Sequence, residues 1–196
     1  DPLWSRGLGD VYKRQILNGS FTVCFWLNKT AKGGGADNDR FIDLTVSSST
    51  SLQIITDAAT SKFGVNFIQN GNWRIVQRVF NNWNTVTNSW HHIALTWDGS
   101  SYEYYFDGSS VATTGASPIG VSGTGFYLGR RADAVATGEL KGKLDEVAIF
   151  NTALSADKIQ QIYDATAVVG GVPQTANLFT GGLDTSLVYW NRMGDS

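Results

Sequence analysis

Charge is scarce in this chain: only 16% of its 196 residues are Asp, Glu, Lys or Arg, against about 25% in ordinary soluble domains. The 15 basic and 17 acidic residues leave a net charge of −2. A general nucleic-acid binder needs a basic surplus, so nucleic acid is not an expected partner. Cysteine is rarer still. Cys24 stands alone, which excludes an internal disulfide and any cysteine-built metal cluster. No apolar run approaches the ~18 residues of a membrane helix, so membrane insertion is not expected. The opening residues lack the apolar stretch of a secretory signal. What the chain does hold is 22 glycines, 12% aromatic residues and many Asn, Ser and Thr. That mixture describes strands joined by polar turns rather than helices.

The length suits one domain, able to bury roughly 70% of its unfolded surface without metals or disulfides. Residues 1–15 (DPLWSRGLGDVYKRQ) carry neither a strand nor a helix period, and their wording resembles a translated cloning adaptor. They are set apart as a non-native or disordered leader. From Phe21 the pattern changes. Phe21, Val23, Phe25 and Leu27 alternate with Thr22, Cys24 and Trp26, as on a strand. A Gly-rich stretch, 32–40, follows. FIDLTVS, SLQIITD and KFGVNFIQ are then three short runs of β-branched and aromatic residues. Asn70-Gly71 predicts a hairpin into NWRIVQRVF. SWHHIALTW, Asp98-Gly99, SYEYYF and Asp107-Gly108 together describe a meander. GFYLGR and KLDEVAIF come next.

Strands recurring every 8–14 residues predict an all-β fold, a two-sheet antiparallel jelly-roll sandwich. One short helix is expected at 155–164, with Ser155 as N-cap and Ile159, Ile162 and Tyr163 as its apolar stripe. Residues 16–165 form the predicted domain and the Gly-, Thr- and Ala-rich 166–186 a linker. Residues 187–196 (LVYWNRMGDS) then form a strand, with Leu187, Tyr189 and Met193 facing inward.

FTVCFWLN, SWHHIALTWDGS with YFDG, FYLGR, and GKLDEVAIFNTALSADKIQQIYD occur in an order that resembles the laminin G-like and pentraxin-like domains of the concanavalin A-like lectin/glucanase superfamily. The terminal LVYWNRMGDS resembles the opening strand of a further unit. The strand either fills the place of the chain's own first strand or starts the next unit. The resemblance implies calcium as cofactor, because pentraxin-like members use an Asp-Asn pair after the early strand and acidic residues after a Leu-Gly strand. It carries over to Asp37, Asn38 and Asp133. Arg131 and Ala132 stand where that pattern has oxygen ligands, and the alternative is a solvated Asn/Asp turn.

Glycan binding calls for stacking aromatics flanked by amides, a role that suits Trp73 and Trp83 with Asn72 and Asn82. Burial of these two tryptophans is left open, whereas Trp26, Trp90 and Trp97 belong to the core. His91 and His92 are neighbours on a strand, so their rings diverge and cannot share an ion. The same geometry separates Asp145 from Glu146, and no glucanase acid motif is present. The expected function is a non-catalytic recognition or adhesion module of an extracellular or virion-surface protein, with glycan or a neighbouring surface protein as partner. A structural spacer is the alternative, and a glycoside hydrolase is disfavoured. One consequence is immediate: a chain starting at Ile16 should keep its Tm. A loss beyond about 4 °C, roughly 1 kcal/mol or more at this size, would restore residues 1–15 to the fold.

Overall fold

The computed structural model describes residues 19–31, 39–47, 50–57, 62–69, 72–80, 88–115, 125–130, 138–178, 182–183 and 185–193. Among them run the strands β1 (Phe21–Lys29), β2 (Arg40–Ser47), β3 (Thr50–Asp57), β4 (Lys62–Gln69), β5 (Asn72–Phe80), β6 (Trp90–Trp97), β7 (Ser101–Phe106), β8 (Ser109–Gly115), β9 (Gly125–Leu128) and β10 (Gly142–Phe150). Helix α1 (Ala156–Ala165) follows, then β11 (Val168–Val169), β12 (Val172–Pro173) and β13 (Leu187–Asn191). The expected fold class holds: among the described residues the chain is mostly β, with two large antiparallel sheets, a two-stranded ribbon and one short helix.

The chain divides into two compact units, one of residues 1–27, 90–120 and 144–196, the other of 28–89 and 121–143. The first is built on a six-stranded sheet in the order β13-β10-β1-β6-β7-β8, with α1 and the β11–β12 ribbon. Its strands are apolar on both faces, which explains why β1 is buried from Phe21 through Leu27. One face carries Phe21, Tyr102 and Trp97, with Phe21 edge-on to Tyr102 at 6.3 Å and Trp97 4.4 Å from Tyr102. The other carries Cys24, Ala94, Tyr105, Ala148 and Phe150, which form one cluster with Leu154, Ile159, Ile162, Leu178 and Leu183. The helix stripe read from the sequence therefore covers this second face.

Specific polar contacts fix how α1 lies on it. Leu154 N donates to Thr22 Oγ1 at 2.9 Å, and Thr22 Oγ1 donates to Thr152 O at 2.8 Å, so β1 holds the approach to the helix. Ser155 stands at the N-cap, though its side chain makes no capping bond. At the far end Trp26 Nε1 donates to Thr166 Oγ1 at 2.7 Å, and that hydroxyl donates on to Ile162 O. Trp26 also stacks on Tyr163 at 5.6 Å. Trp26 and Trp97 are core residues as expected, while Trp90 is half-buried.

Of the two Asp-Gly pairs, Asp107-Gly108 forms the two-residue turn, with φ +48° and +78° and Phe106 opposite Ser109, as a mirror-image hairpin turn requires. A Cβ at Gly108 would also meet Gln160 Oε1 at 2.6 Å. Asp98-Gly99 lies in a longer connection. There the Asp98 carboxylate accepts the amides of Ser100 and Ser101 at 2.7 Å each, and these bonds hold its carboxyl far below the usual range.

The stretch 166–186 carries structure of its own: the β11–β12 ribbon and the buried Leu178 and Leu183. Beyond it β13 pairs antiparallel with β10, Ala148 opposite Trp190 and Ile149 opposite Tyr189, and it forms an edge of the sheet. A register shift between Ile149 and Phe150 changes the alternation. Leu187 and Trp190 thus pack against the helix-side cluster, and Met193, expected inward, is 44% exposed.

The two histidines diverge, as strand neighbours must. His91 is half-buried, its Nδ1 2.8 Å from Asp107 Oδ2. His92 is buried beside Trp26 and Tyr163, and its backbone N–H donates to Asp107 Oδ1. Burial lowers the His92 pKa to about 4, against a smaller opposing pull from Asp107. Between pH 6.5 and 4 the unfolded chain takes up a proton that the folded chain refuses, so this residue makes stability fall as pH falls. The expected loss is roughly 3 kcal/mol from pH 7 to pH 4. Urea unfolding of the parent and of His92→Gln at both pH values isolates it. An identical pH response in the two proteins would refute it.

Candidate functional site

The second unit holds the five-stranded sheet β5-β4-β3-β2-β9 and contains every candidate ligand residue. Its registers define two ends. At one, Gln69 faces Asn72, Ser47 faces Thr50 and Thr45 faces Gly125. At the other, Phe63 faces Phe80, Asp57 faces Lys62, Arg40 faces Ile55 and Ile42 faces Leu128.

The candidate residues divide between these ends. Asn72 and Trp73 open β5 at the first end, where the Asn70-Gly71 hairpin joins β4 to β5. From Trp73 to Phe80 the strand runs about 23 Å at ~3.3 Å per residue. Asn82 and Trp83 follow Phe80 at the second end and lie outside the described residues. Asp37, Asn38 and Asp133 also lie outside them, but the segments that flank them are described. Trp73 therefore lies in β5 near its first end, whereas the segment that carries Trp83 leaves the other end.

At the second end the roots of three chain segments are tied together. Arg40 N donates to Gly138 O at 3.0 Å, which joins the far root of 32–38 to that of 131–137. Thr30 N donates to Lys141 O at 2.8 Å, and Asn88 N donates to Lys29 O at 2.6 Å, which brings in the end of 81–87. Gly129 N donates to Phe41 O, and Leu140 N donates to Gly129 O, closing the ring of contacts. Gly142 is a requirement of this closeness, since a Cβ there would collide with the Asn28 carbonyl. The three tied segments are those that carry Asp37 and Asn38, Asn82 and Trp83, and Asp133.

Beneath the roots lies buried polar chemistry that the sequence did not reveal. Lys29 Nζ and Asp39 Oδ2 form a 2.7 Å ion pair, 2% and 1% exposed. Asp39 follows Asn38 in the chain and is already paired with a cation. Gln53 Nε2 donates to Asp43 Oδ2 at 3.1 Å across β2 and β3, both side chains buried. Gln53 Oε1 and Asn28 Oδ1 are buried without a hydrogen-bond partner. At the surface Arg130 lies over the Tyr127 ring at 5.1 Å. The sequence signal for the ion pair was slight: a lysine closing an apolar strand reads as the beginning of a turn. Among the described residues, no group of three or more His, Cys, Asp or Glu is placed to hold a metal ion.

Asp145 and Glu146, in the first unit, serve the strand rather than a cleft. Asp145 Oδ1 accepts the Glu146 amide at 2.8 Å, and Trp190 Nε1 donates to Glu146 Oε2 at 2.7 Å.

A laminin G family model, described as the concanavalin A-like lectin/glucanases superfamily, matches residues 10–160. No significant match exists among curated proteins. Solved structures of similar fold include a SAP-like pentraxin from Limulus polyphemus, 14% identical, covering 76% of this chain and 71% of that one at a TM-score of 0.52. Domain 4 of AbnA, an extracellular arabinanase from Geobacillus stearothermophilus solved with arabinotriose, is 16% identical over 76% of this chain and 68% of its own, with a TM-score of 0.61. The CBM40 of Ruminococcus gnavus IT-sialidase, bound to α2,3 sialyllactose, is 14% identical over 75% and 84%, at 0.60.

The ion pair under the loop roots has a measurable signature. Lys29→Met removes the cation from a buried carboxylate and should cost about 3–5 kcal/mol, read as a lower urea midpoint at unchanged m-value. A cost below about 1 kcal/mol, as for an exposed pair, would show that water reaches Asp39.

Proposed function

Residues 10–160 make the chain a member of the concanavalin A-like lectin/glucanases superfamily, and we propose that within it the chain is a non-catalytic glycan-recognition module. The observation that carries this reading is the tying of three loop roots at one end of the five-stranded sheet. The segments that those roots bound contain an indole and an amide, Trp83 and Asn82, and the oxygen donors Asp37, Asn38 and Asp133. Sugars are recognised by stacking on an aromatic face while amides and carboxylates bond the hydroxyls. Trp73 and Asn72 belong to the opposite end and serve at most a second contact. The sugar-bound arabinanase domain and CBM40 support the ligand class.

Calcium belongs to the same reading. Two carboxylates and an amide are hard oxygen donors of the type the ion takes, and the ion would add a cationic anchor for hydroxyl groups. The site's own residues would contribute three of its six to eight oxygens. A structural use of Asp145 and Glu146 fits this reading, since one accepts a backbone amide and the other the Trp190 indole N–H. An adhesive role on an extracellular or virion-surface protein fits a module of this kind.

Glycan-array binding with and without EDTA tests the proposal. The parent should bind at least one glycan class, Trp83→Ala should lose it, and Trp73→Ala should keep it. Saturating calcium at a hundred times Kd should raise stability by about 2.7 kcal/mol, and Asp37→Ala should abolish the gain. A folded parent that binds no glycan in either condition would overturn the reading in favour of a spacer. Loss in Trp73→Ala alone would move the site to the other end.

A further inference from the structure

We propose that the glycans this module takes are acidic, a sugar carboxylate being held by a cationic rim at the tied end of the five-stranded sheet, with Arg130 setting the preference. The inference rests on the glycan-recognition reading and names its substrate class. Leu140 N donates to Gly129 O at 2.8 Å, so Arg130 and Lys141 each follow directly on one backbone bond. Lys143 stands two residues beyond Lys141, at the start of β10 and still within the five-stranded unit. All three side chains are exposed. Among the described residues no carboxylate forms an ion pair with any of them.

Negative charge does not cancel the rim. Among the described residues of the roots, Glu139 is the one exposed anion. The buried Asp39 is neutralised by Lys29 at 2.7 Å. Asp43, opposite Tyr127 in the ladder, is 1% exposed and accepts the Gln53 amide. The tied segments themselves are balanced, with Lys32 and Arg131 against Asp37 and Asp133. This end is thus positive in a protein whose net charge is −2.

Arg130 is more than a surface charge. Gly129, at a φ of +69°, turns the chain out of β9, and the Arg130 guanidinium lies over the half-buried Tyr127 ring, 5.1 Å from its centroid. A ring beneath the guanidinium plane restrains it and leaves the N–H edges free. A carboxylate takes such an edge through two parallel charge-assisted bonds, which a neutral hydroxyl cannot match. The difference is worth about 10- to 100-fold in affinity. Nucleic acid fits the rim less well, since a phosphate backbone calls for a larger basic surplus than three cations.

A glycan array holding acidic saccharides beside their neutral counterparts tests the proposal: galacturonate oligomers against galactose oligomers, sialyllactose against lactose. Titration of the best ligand follows, in calcium or in EDTA, whichever permits binding. The acidic member should bind about 10- to 100-fold tighter than its counterpart. Arg130→Gln should abolish that margin and Arg130→Lys should keep part of it. Should the variants not fold, the parent alone decides: raising NaCl from about 50 to 500 mM should weaken the acidic ligand severalfold and leave neutral sugars unaffected. Equal binding of the neutral members, indifference to salt, or a margin that survives in Arg130→Gln would overturn the rim while leaving a glycan module standing. Tighter capture of a DNA oligonucleotide, or of sulfated sugars without a carboxylate, would also overturn it. A parent that binds no glycan would remove both readings together.

Discussion

Cys24, Ala94, Tyr105, Ala148 and Phe150 form a sheet face that water would reach unless something covered it, and that need shapes the whole carboxyl-terminal third of the chain. Helix α1 supplies Ile159 and Ile162, but a ten-residue helix covers only part of a six-stranded sheet. Leu178, Leu183, Leu187 and Trp190 cover what remains. A helix of this length is marginal in isolation, so its stability comes from this packing and not from propensity. The same holds for the glycine-rich stretch after it, where two isolated leucines fasten an otherwise polar segment.

Much of this was legible beforehand, because alternation and turn chemistry are local properties. The strand β1 was legible in Phe21, Val23, Phe25 and Leu27 alternating with Thr22, Cys24 and Trp26, although its burial on both faces was not, and the helix stripe was equally plain. Hairpins were legible where the pair demands positive φ twice, as at Asp107-Gly108. They were less so at Asp98-Gly99, where the two following serines recruit the carboxylate and lengthen the connection. Register shifts were not legible at all. One between Ile149 and Phe150 suffices to put Trp190 on the covered face, since a single-residue slip exchanges the faces of a strand. The buried leucines at 178 and 183 have no period to betray them. In the candidate site, residue types could be read from the sequence. That the segments carrying Asp37 and Asn38, Trp83 and Asp133 have their roots at the same end of the sheet depends on strand pairing, which no local pattern encodes.

A chain with so few charges places several of them where charge is costly. Lys29 and Asp39 neutralise one another out of water, an arrangement that specifies a unique geometry at the loop roots more than it stabilises the fold. His92 and Glu146 are also buried, Glu146 with Arg192 at 3.9 Å, and desolvation pushes both toward their neutral forms. Their linkages have opposite signs over nearly the same interval. Neutral His92 makes the fold weaker as pH falls below 6.5, while protonated Glu146 makes it weaker as pH rises above 4.5. Between pH 4.5 and 6.5 the contributions of these two groups to stability therefore oppose each other.

That opposition bears on how the two units divide their work. The titrating groups lie in the six-stranded unit, on the helix-covered face and the docking edge of β13. The residues that flank the segments carrying Asp37 and Asn38, Trp83, and Asp133 belong to the five-stranded unit and are fixed by backbone bonds and by an ion pair closed to solvent. Backbone bonds depend on no particular side chain, so the segments between the roots can change sequence without loosening the frame that positions them. The coverage of the other sheet, to which Leu154, Ile159, Ile162, Leu178, Leu183, Leu187 and Trp190 contribute, has far less room to change.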